Sequence, residues 1–175
     1  GALDSARIHM PTLKAYLDTC IVSGLAKGDM QPGEVEALLR ILHARKTGRV
    51  VLLTSDVVNA EINRIPPSHR TPHAAIYELL SEVPRAPLHL TASRLLDGGL
   101  LQSAWREDSL FMQLRNLLPD SADAEHIFQA AKNNVAFLLT VDHRTFLKHA
   151  VAVKQLCGVQ LITPVAFENL VFTGA

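Results

Sequence analysis

The sequence predicts an α/β protein with an open, mainly parallel sheet that has helices on both faces. Three observations predict it. Short aliphatic runs, such as "RVVLL" at 49–53 and "VAFLLTV" at 135–141, are typical of strands that are buried on both faces. Segments with apolar residues at helical spacing lie between these runs. The alternation of the two types favours crossover connections and a parallel sheet.

The first half of the chain is predicted to contain two strands and three helices. Residues 33–47 carry apolar side chains at i, i+3, i+4 and i+7, and Gly48 follows where this helix can end. Residues 54–65 begin with residue types that cap helices, Ser55 among them, and stop before two prolines. We therefore assign strands to 13–17 and 49–53, and helices to 33–47, 54–65 and 72–82.

The second half continues the same alternation. Asp120 and its neighbours can cap a helix that closes on an Asn pair, and Pro164 suits the first turn of the last helix. We assign strands to 87–90, 135–141 and 159–163, and helices to 91–103, 107–118, 120–134, 143–150 and the segment from Pro164 onward. The predicted sheet therefore has four to five strands.

Composition indicates an ordinary globular domain. The 175 residues are 48% hydrophobic, and 17 basic residues balance 17 acidic ones, so bulk charge does not indicate a nucleic-acid binder. No apolar stretch reaches the roughly 20 residues that span a bilayer. We interpret residues 1–9 as an expression-tag remnant, because His9-Met10 matches a common cloning site, and residues 10–175 as a single domain.

The two cysteines, Cys20 and Cys157, have neither zinc-site spacing nor the pattern of a disulfide framework. Reduced thiols in a cytoplasmic protein are the expected state.

Four acidic residues fall where a parallel sheet forms binding sites. Asp18 ends the first strand and Asp142 follows the strand at 135–141, while Glu61 and Asp123 lie on helices beside them. Singly, each could be a helix cap or a solvated charge. Together, converging carboxylates would repel one another unless a cation neutralised them. Oxygen donors suit magnesium or manganese better than zinc.

Five motifs resemble, in their order along the chain, the successive motifs of the PIN-domain family. They cover roughly Lys14 to Phe172 and read "YLDTCI" (16–21), "LLTSDVVNAEI" (52–62), "DAEHIFQAA" (123–131), "FLLTVDHRTF" (137–146) and "VQLITPVAFENLV" (159–171). The resemblance implies a three-layer α/β/α fold and a VapC-like, metal-dependent ribonuclease. It also implies a cytoplasmic protein that acts on RNA.

By motif, the resemblance implies that Asp18, Glu61, Asp123 and Asp142 are the catalytic and metal-ligating residues for one or two magnesium or manganese ions. Thr140, the threonine of the Thr-x-Asp motif, would support them. Many PIN domains have Ser or Asn where this chain has Cys20, so we expect the fine tuning of the site to differ here while the metal ligands are kept.

Substrate contacts are expected mainly at phosphates, since aromatic residues make up only 5% of the chain. Arg64 and Arg144 follow two of the acids and are the candidate contacts, with an ordinary surface cation as the alternative for each. His126 lies three residues after Asp123, where ligation or proton transfer competes with simple helix packing.

The family resemblance implies further partners, an antitoxin protein and a second copy of the chain in a homodimer. Two other functions stay open from the sequence. One is a catalytically silent PIN-like module that binds RNA or protein, against which the presence of all four acids speaks. The other is a phosphatase or phosphoacceptor with Asp18 as nucleophile, although the first strand is not followed by a DxD motif.

Overall fold

The structure is a computed structural model, and it describes residues 12–87 and 109–173. The predicted tag at 1–9 and the helix at 91–103 lie outside these residues, as does nearly all of the predicted strand at 87–90. Within the described part of the chain, no helix is both long enough and apolar enough to cross a membrane.

A four-stranded, fully parallel sheet lies at the centre of the fold, which confirms the predicted α/β class. Its strands are β1 (Leu13–Leu17), β2 (Val50–Thr54), β3 (Phe137–Leu139) and β4 (Gln160–Ile162), in the spatial order β2-β1-β3-β4. The register pairs Leu17 with Thr54 on one side and with Leu139 on the other. The carboxyl ends of β1, β2 and β3 therefore lie side by side.

Helices connect the strands and cover both faces of the sheet. They are α1 (Cys20–Lys27), α2 (Pro32–Lys46), α3 (Val57–Arg64), α4 (Pro67–Arg70), α5 (Ala74–Ser81), α6 (Ser109–Leu117), α7 (Ser121–Lys132), α8 (Ala150–Cys157) and α9 (Pro164–Thr173). Two single 3₁₀ turns, Thr71–His73 and Leu147–His149, precede α5 and α8.

The core has two parts, one on each face of the sheet. Successive strand residues point to opposite faces. Leu17 and Leu139 accordingly belong to the cluster under α1, α2, α3, α5 and α9, whereas Tyr16 and Leu138 belong to the cluster under α6, α7 and α8. The molecule thus has the three layers of an α/β/α fold.

A topological switch point lies between β1 and β3. The chain leaves β1 toward β2 on one side, and leaves β3 toward β4 on the other. In open parallel sheets, the crevice at such a point is where ligands bind. Residues that follow β1 and β3 directly, above all Asp18 and Thr140, lie at this crevice.

Several predicted elements need correction. The helix predicted at 143–150 is wrong, because residues 143–146 form a turn, Leu147–His149 form a 3₁₀ turn, and the regular helix starts only at Ala150. The strand predicted at 135–141 is confined to Phe137–Leu139. Ser55 does not cap the following helix, whose cap position, Asp56, also makes no side-chain capping bond.

The edge of β2 that does not face β1 pairs with one further residue of the chain. Arg85 forms a parallel bridge with Thr54, whose carbonyl accepts a hydrogen bond of 2.8 Å from the Ala86 amide. The first described range of the chain ends at Pro87, two residues beyond Arg85.

Candidate functional site

A cleft of about 430 Å³ opens at the switch point, and all four predicted acids line it. The sheet contributes Asp18 and Asp142 from the segments that follow β1 and β3. Helix α3 contributes Glu61, and the first turn of α7 contributes Asp123. The structure therefore brings together the four carboxylates that the sequence placed on two strand ends and two helices.

Asp18 is the most deeply buried of the four acids. Its backbone amide extends the β1–β3 pairing by donating to the Leu139 carbonyl at 3.0 Å. Its side chain is only 4% exposed, and its Oδ2 accepts a hydrogen bond of 3.0 Å from the Thr140 hydroxyl. A buried carboxylate with one oxygen fixed by a neutral donor is oriented without being neutralised. The N-cap position of α1 is Thr19, which makes no side-chain capping bond, so Asp18 does not occupy the cap position.

Thr140 joins the two strand ends through one hydroxyl group. The hydroxyl donates to Asp18, accepts the Asp142 backbone amide at 3.2 Å, and lies 3.2 Å from the Cys20 sulfur. Burial, followed by the Asp18 charge, raises the pKa of Cys20 above its usual range. Cys20 is thus a neutral thiol beside Thr140, and the predicted supporting role of Thr140 has a structural basis in these bonds.

Asp142 caps a turn and also lines the cleft, which are the two roles that the sequence left open for it. Its carboxylate accepts hydrogen bonds from the backbone amide of Thr145, at 3.0 Å, and from the Thr145 hydroxyl, which holds the turn after β3. Partial burial opposes ionisation, but these bonds and the Arg144 amide lower the pKa of Asp142 below its usual value. The residue is a turn cap that also presents a stable negative charge to the cleft.

Asp123 and Glu61 have the opposite electrostatic character. Burial, with the charges of Asp120, Asp18 and Asp142, raises the pKa of Asp123 from 3.8 to about 7. Burial and the Asp18 charge also raise the pKa of Glu61, while Arg64 opposes that shift. Asp123 does not cap α7, since Asp120 accepts the capping hydrogen bond from the Ala122 amide at 2.8 Å. Ionised together, the four acids would repel one another unless a cation lay among them.

The spacing of these side chains limits how a metal ion could be held. Among residues 12–87 and 109–173, no three His, Cys, Asp or Glu side chains are close enough to form a ligand group for a metal ion. Magnesium retains several waters and takes few direct protein ligands. The four carboxylates supply the oxygen donors that magnesium and manganese prefer, but as spaced in this structure they could act on such an ion only with water completing its coordination.

Cationic side chains lie on one wall of the cleft. Lys27 and Arg64, at the ends of α1 and α3, both line it and are exposed. Arg144 is exposed in the turn after Asp142 but is not among the residues that line the cleft. Of the two arginines predicted to contact substrate, the structure places only Arg64 at the cleft.

The sequence analysis did not identify Lys27 as a cleft residue, although its position relative to Asp18 could have indicated it. Ser23 and Lys27 are four residues apart and share one face of α1, which starts two residues after Asp18. Treating residues 20–27 as a helix that borders the site would have pointed to Lys27.

Comparison of the chain with protein-family models, curated proteins and solved structures gives no match. Membership of the PIN-domain family accordingly stays a prediction from the five sequence motifs.

Proposed function

We propose that the protein is a magnesium- or manganese-dependent endoribonuclease that hydrolyses RNA phosphodiester bonds. One observation carries the proposal: Asp18, Glu61, Asp123 and Asp142 come from four separate segments and line one cleft at the switch point of a parallel sheet. The family resemblance supplies the substrate class and the metal.

Each of the four acids would have a distinct role in binding the metal ion. Asp18 and Asp142, which follow the carboxyl ends of β1 and β3, would be the principal ligands. Asp123, with its pKa near 7, would ligate once it loses its proton, either directly or through a water. Glu61 would position a water or help to hold a second ion.

A divalent cation bound there would lower the pKa of a bound water and stabilise charge on the phosphate. Lys27 and Arg64 would hold neighbouring phosphates of the substrate, because both lie on the wall formed by α1 and α3. Contacts of this kind depend on charge and carry little sequence information. The proposed enzyme therefore binds RNA mainly through its backbone.

The retained carboxylates favour catalysis over the alternative of a silent binding module. Among the described residues, five acids (Asp18, Glu61, Asp120, Asp123 and Asp142) line the cleft beside two basic residues, Lys27 and Arg64. Without a metal ion, this excess of negative charge repels nucleic acid. A site that only bound RNA would be better served by losing acids.

A toxin role would add an inhibitory partner. We include in the proposal an antitoxin protein that covers the cleft, and a homodimer, both of which the resemblance implies. Co-purification of the two chains, with loss of cleavage in the complex, would test the first. Sedimentation of the isolated chain would test the second.

The cleavage test uses short labelled RNAs, single-stranded and hairpin, with a DNA of the same sequence beside them. Wild-type protein with Mn²⁺ or Mg²⁺ should cut RNA internally, and a chelator should stop the reaction. Asp18→Asn should be inactive, whereas Glu78→Gln, an exposed position on α5, should cut normally. Equal cleavage by wild type and Asp18→Asn would show that the activity does not come from this site.

A further inference from the structure

His126 occupies a distinctive position beside Asp18. It lies on α7 and is only 8% exposed, although its side chain is polar. It lines the acidic cleft and also a second cavity of about 190 Å³ on its other side, which Tyr16 shares. His126 therefore forms part of the wall between the two cavities.

Both ring nitrogens of His126 face polar groups. Nδ1 lies 3.3 Å from the Tyr16 hydroxyl, and Nε2 lies 3.9 Å from Oδ1 of Asp18. The other oxygen of that carboxylate, Oδ2, is the one that Thr140 binds. Asp18 is thus flanked on one side by strand β3 and on the other by helix α7.

The partners of His126 determine which ring nitrogen carries the proton. An ionised carboxylate can only accept, so the proton of the neutral imidazole is favoured on Nε2, and Nδ1 is left as an acceptor. The Tyr16 hydroxyl, 3.3 Å from Nδ1, can then donate to that nitrogen. The opposite tautomer would turn the Nε2 lone pair toward a negative oxygen.

We propose that Tyr16 and His126 form a positioning pair that sets the orientation of Asp18 for cation binding. Tyr16 fixes the tautomer of His126, and His126 presents Nε2–H to the Asp18 oxygen that Thr140 leaves free. The inference rests on the proposed function, since the oriented carboxylate is the proposed principal ligand. Neither residue contacts the cation or the substrate in this role.

Simple packing is the rival explanation, and the contacts argue against it. A histidine that only fills space needs no donor at one nitrogen and no acceptor at the other. Here Tyr16 lies within hydrogen-bond distance of one nitrogen of His126, and the other nitrogen faces Asp18 at 3.9 Å, a separation suited to an ion-pair contact rather than a direct hydrogen bond. Thr140 binds the second oxygen of the same carboxylate. Hydrogen-bond partners behind a metal ligand typically contribute about 10- to 100-fold to metal affinity or activity.

The test compares Mn²⁺ affinity in variants of the full chain by calorimetry. His126→Leu should raise the dissociation constant about 10-fold or more, and Tyr16→Phe should raise it by a smaller factor. His126→Gln, whose amide can still donate toward Asp18, should return to within about threefold of wild type. Tyr16→Phe should add nothing in the His126→Leu background, because it acts through His126.

Two further measurements separate positioning from folding and from failure of the proposed function. Thermal melts of the metal-free variants identify any loss of fold, and nitrogen NMR of the metal-free protein should show the imidazole proton on Nε2. Wild-type Mn²⁺ affinity in folded His126→Leu, or a proton on Nδ1, would overturn the positioning role while Asp18→Asn still lost binding. If Asp18→Asn binds Mn²⁺ like wild type, the proposed function itself fails and the inference falls with it.

Discussion

Replacing Asp123 by Asn should stabilise the metal-free protein at neutral and alkaline pH. The carboxylate is half-buried in the first turn of α7, and Asp120, Asp18 and Asp142 add to its unfavourable environment. Asparagine is nearly isosteric and carries no charge, so the substitution removes the repulsion and leaves the Asp120 cap of the helix intact.

The sign of the pH dependence follows from the raised pKa. Well below pH 3.8, Asp123 is protonated in both states and the substitution should change little. Between 3.8 and about 7, the unfolded chain releases this proton while the folded protein keeps it, so stability falls as the pH rises. Above about pH 7, the folded carboxylate is charged and the full penalty applies.

The expected gain in the free energy of unfolding follows from the same shift in the pKa of Asp123. At about 1.4 kcal/mol per pKa unit, the change from 3.8 to about 7 corresponds at face value to about 4 kcal/mol. Solvent screens a half-exposed carboxylate, which reduces the expected gain to about 1–2 kcal/mol. For a chain of this length, such a gain raises the melting temperature by about 3–6 °C.

Thermal melts in a chelating buffer at pH 8 and pH 4 provide the assay. Asp123→Asn should melt higher than wild type at pH 8 only, and Glu78→Gln, an exposed charge removal on α5, should match wild type at both. Added Mn²⁺ should stabilise wild type much more than Asp123→Asn. A variant that is less stable than wild type at pH 8 would refute the electrostatic reasoning.

Four further outcomes are expected. Glu61→Gln should keep the fold and lower kcat for RNA cleavage at least 10-fold, measured with labelled RNA at saturating Mn²⁺. Arg64→Ala should raise KM and reduce the slope of log affinity against log salt by about 1, whereas Arg144→Ala, outside the cleft, should change neither. Thr140→Val should cost about 1–3 kcal/mol in urea unfolding and weaken Mn²⁺ binding, because the Asp18 oxygen and the Asp142 amide lose their partner. Leu38→Ala, at a fully buried position, should cost about 2–5 kcal/mol yet preserve cleavage per folded molecule.

The sequence was most informative where burial dictates residue type. The aliphatic runs at β2 and β3 identify strands because both faces of the sheet are covered, and their alternation with amphipathic helices predicts parallel pairing. The acids could be located for a related reason: a charge that directly follows a buried strand lies at the sheet edge. Asp18 illustrates this, since it directly follows Leu17, the last paired residue of β1.

The start of α8, the position of His126 and the spacing of the four acids depend on contacts that no local sequence pattern encodes. The late start of α8 follows from the Asp142 side chain and its bonds to Thr145, which close a turn where helical propensity favoured a helix. The position of His126 between Tyr16 and Asp18 depends on how α7 packs across β1, over 110 residues of chain separation. The distances among the four acids depend on four elements at once, so the sequence predicted a common cleft without its spacing.

Anomalous diffraction from crystals soaked in Mn²⁺ would test the central claim most directly, because it locates the ion without relying on activity. The proposed function predicts a manganese peak in the cleft, bound to Asp18 and Asp142 with water completing its coordination, and no peak in Asp18→Asn crystals. A soaked wild-type crystal with an empty cleft, or with manganese bound only elsewhere, would contradict the assignment of this site as a metal-dependent nuclease centre.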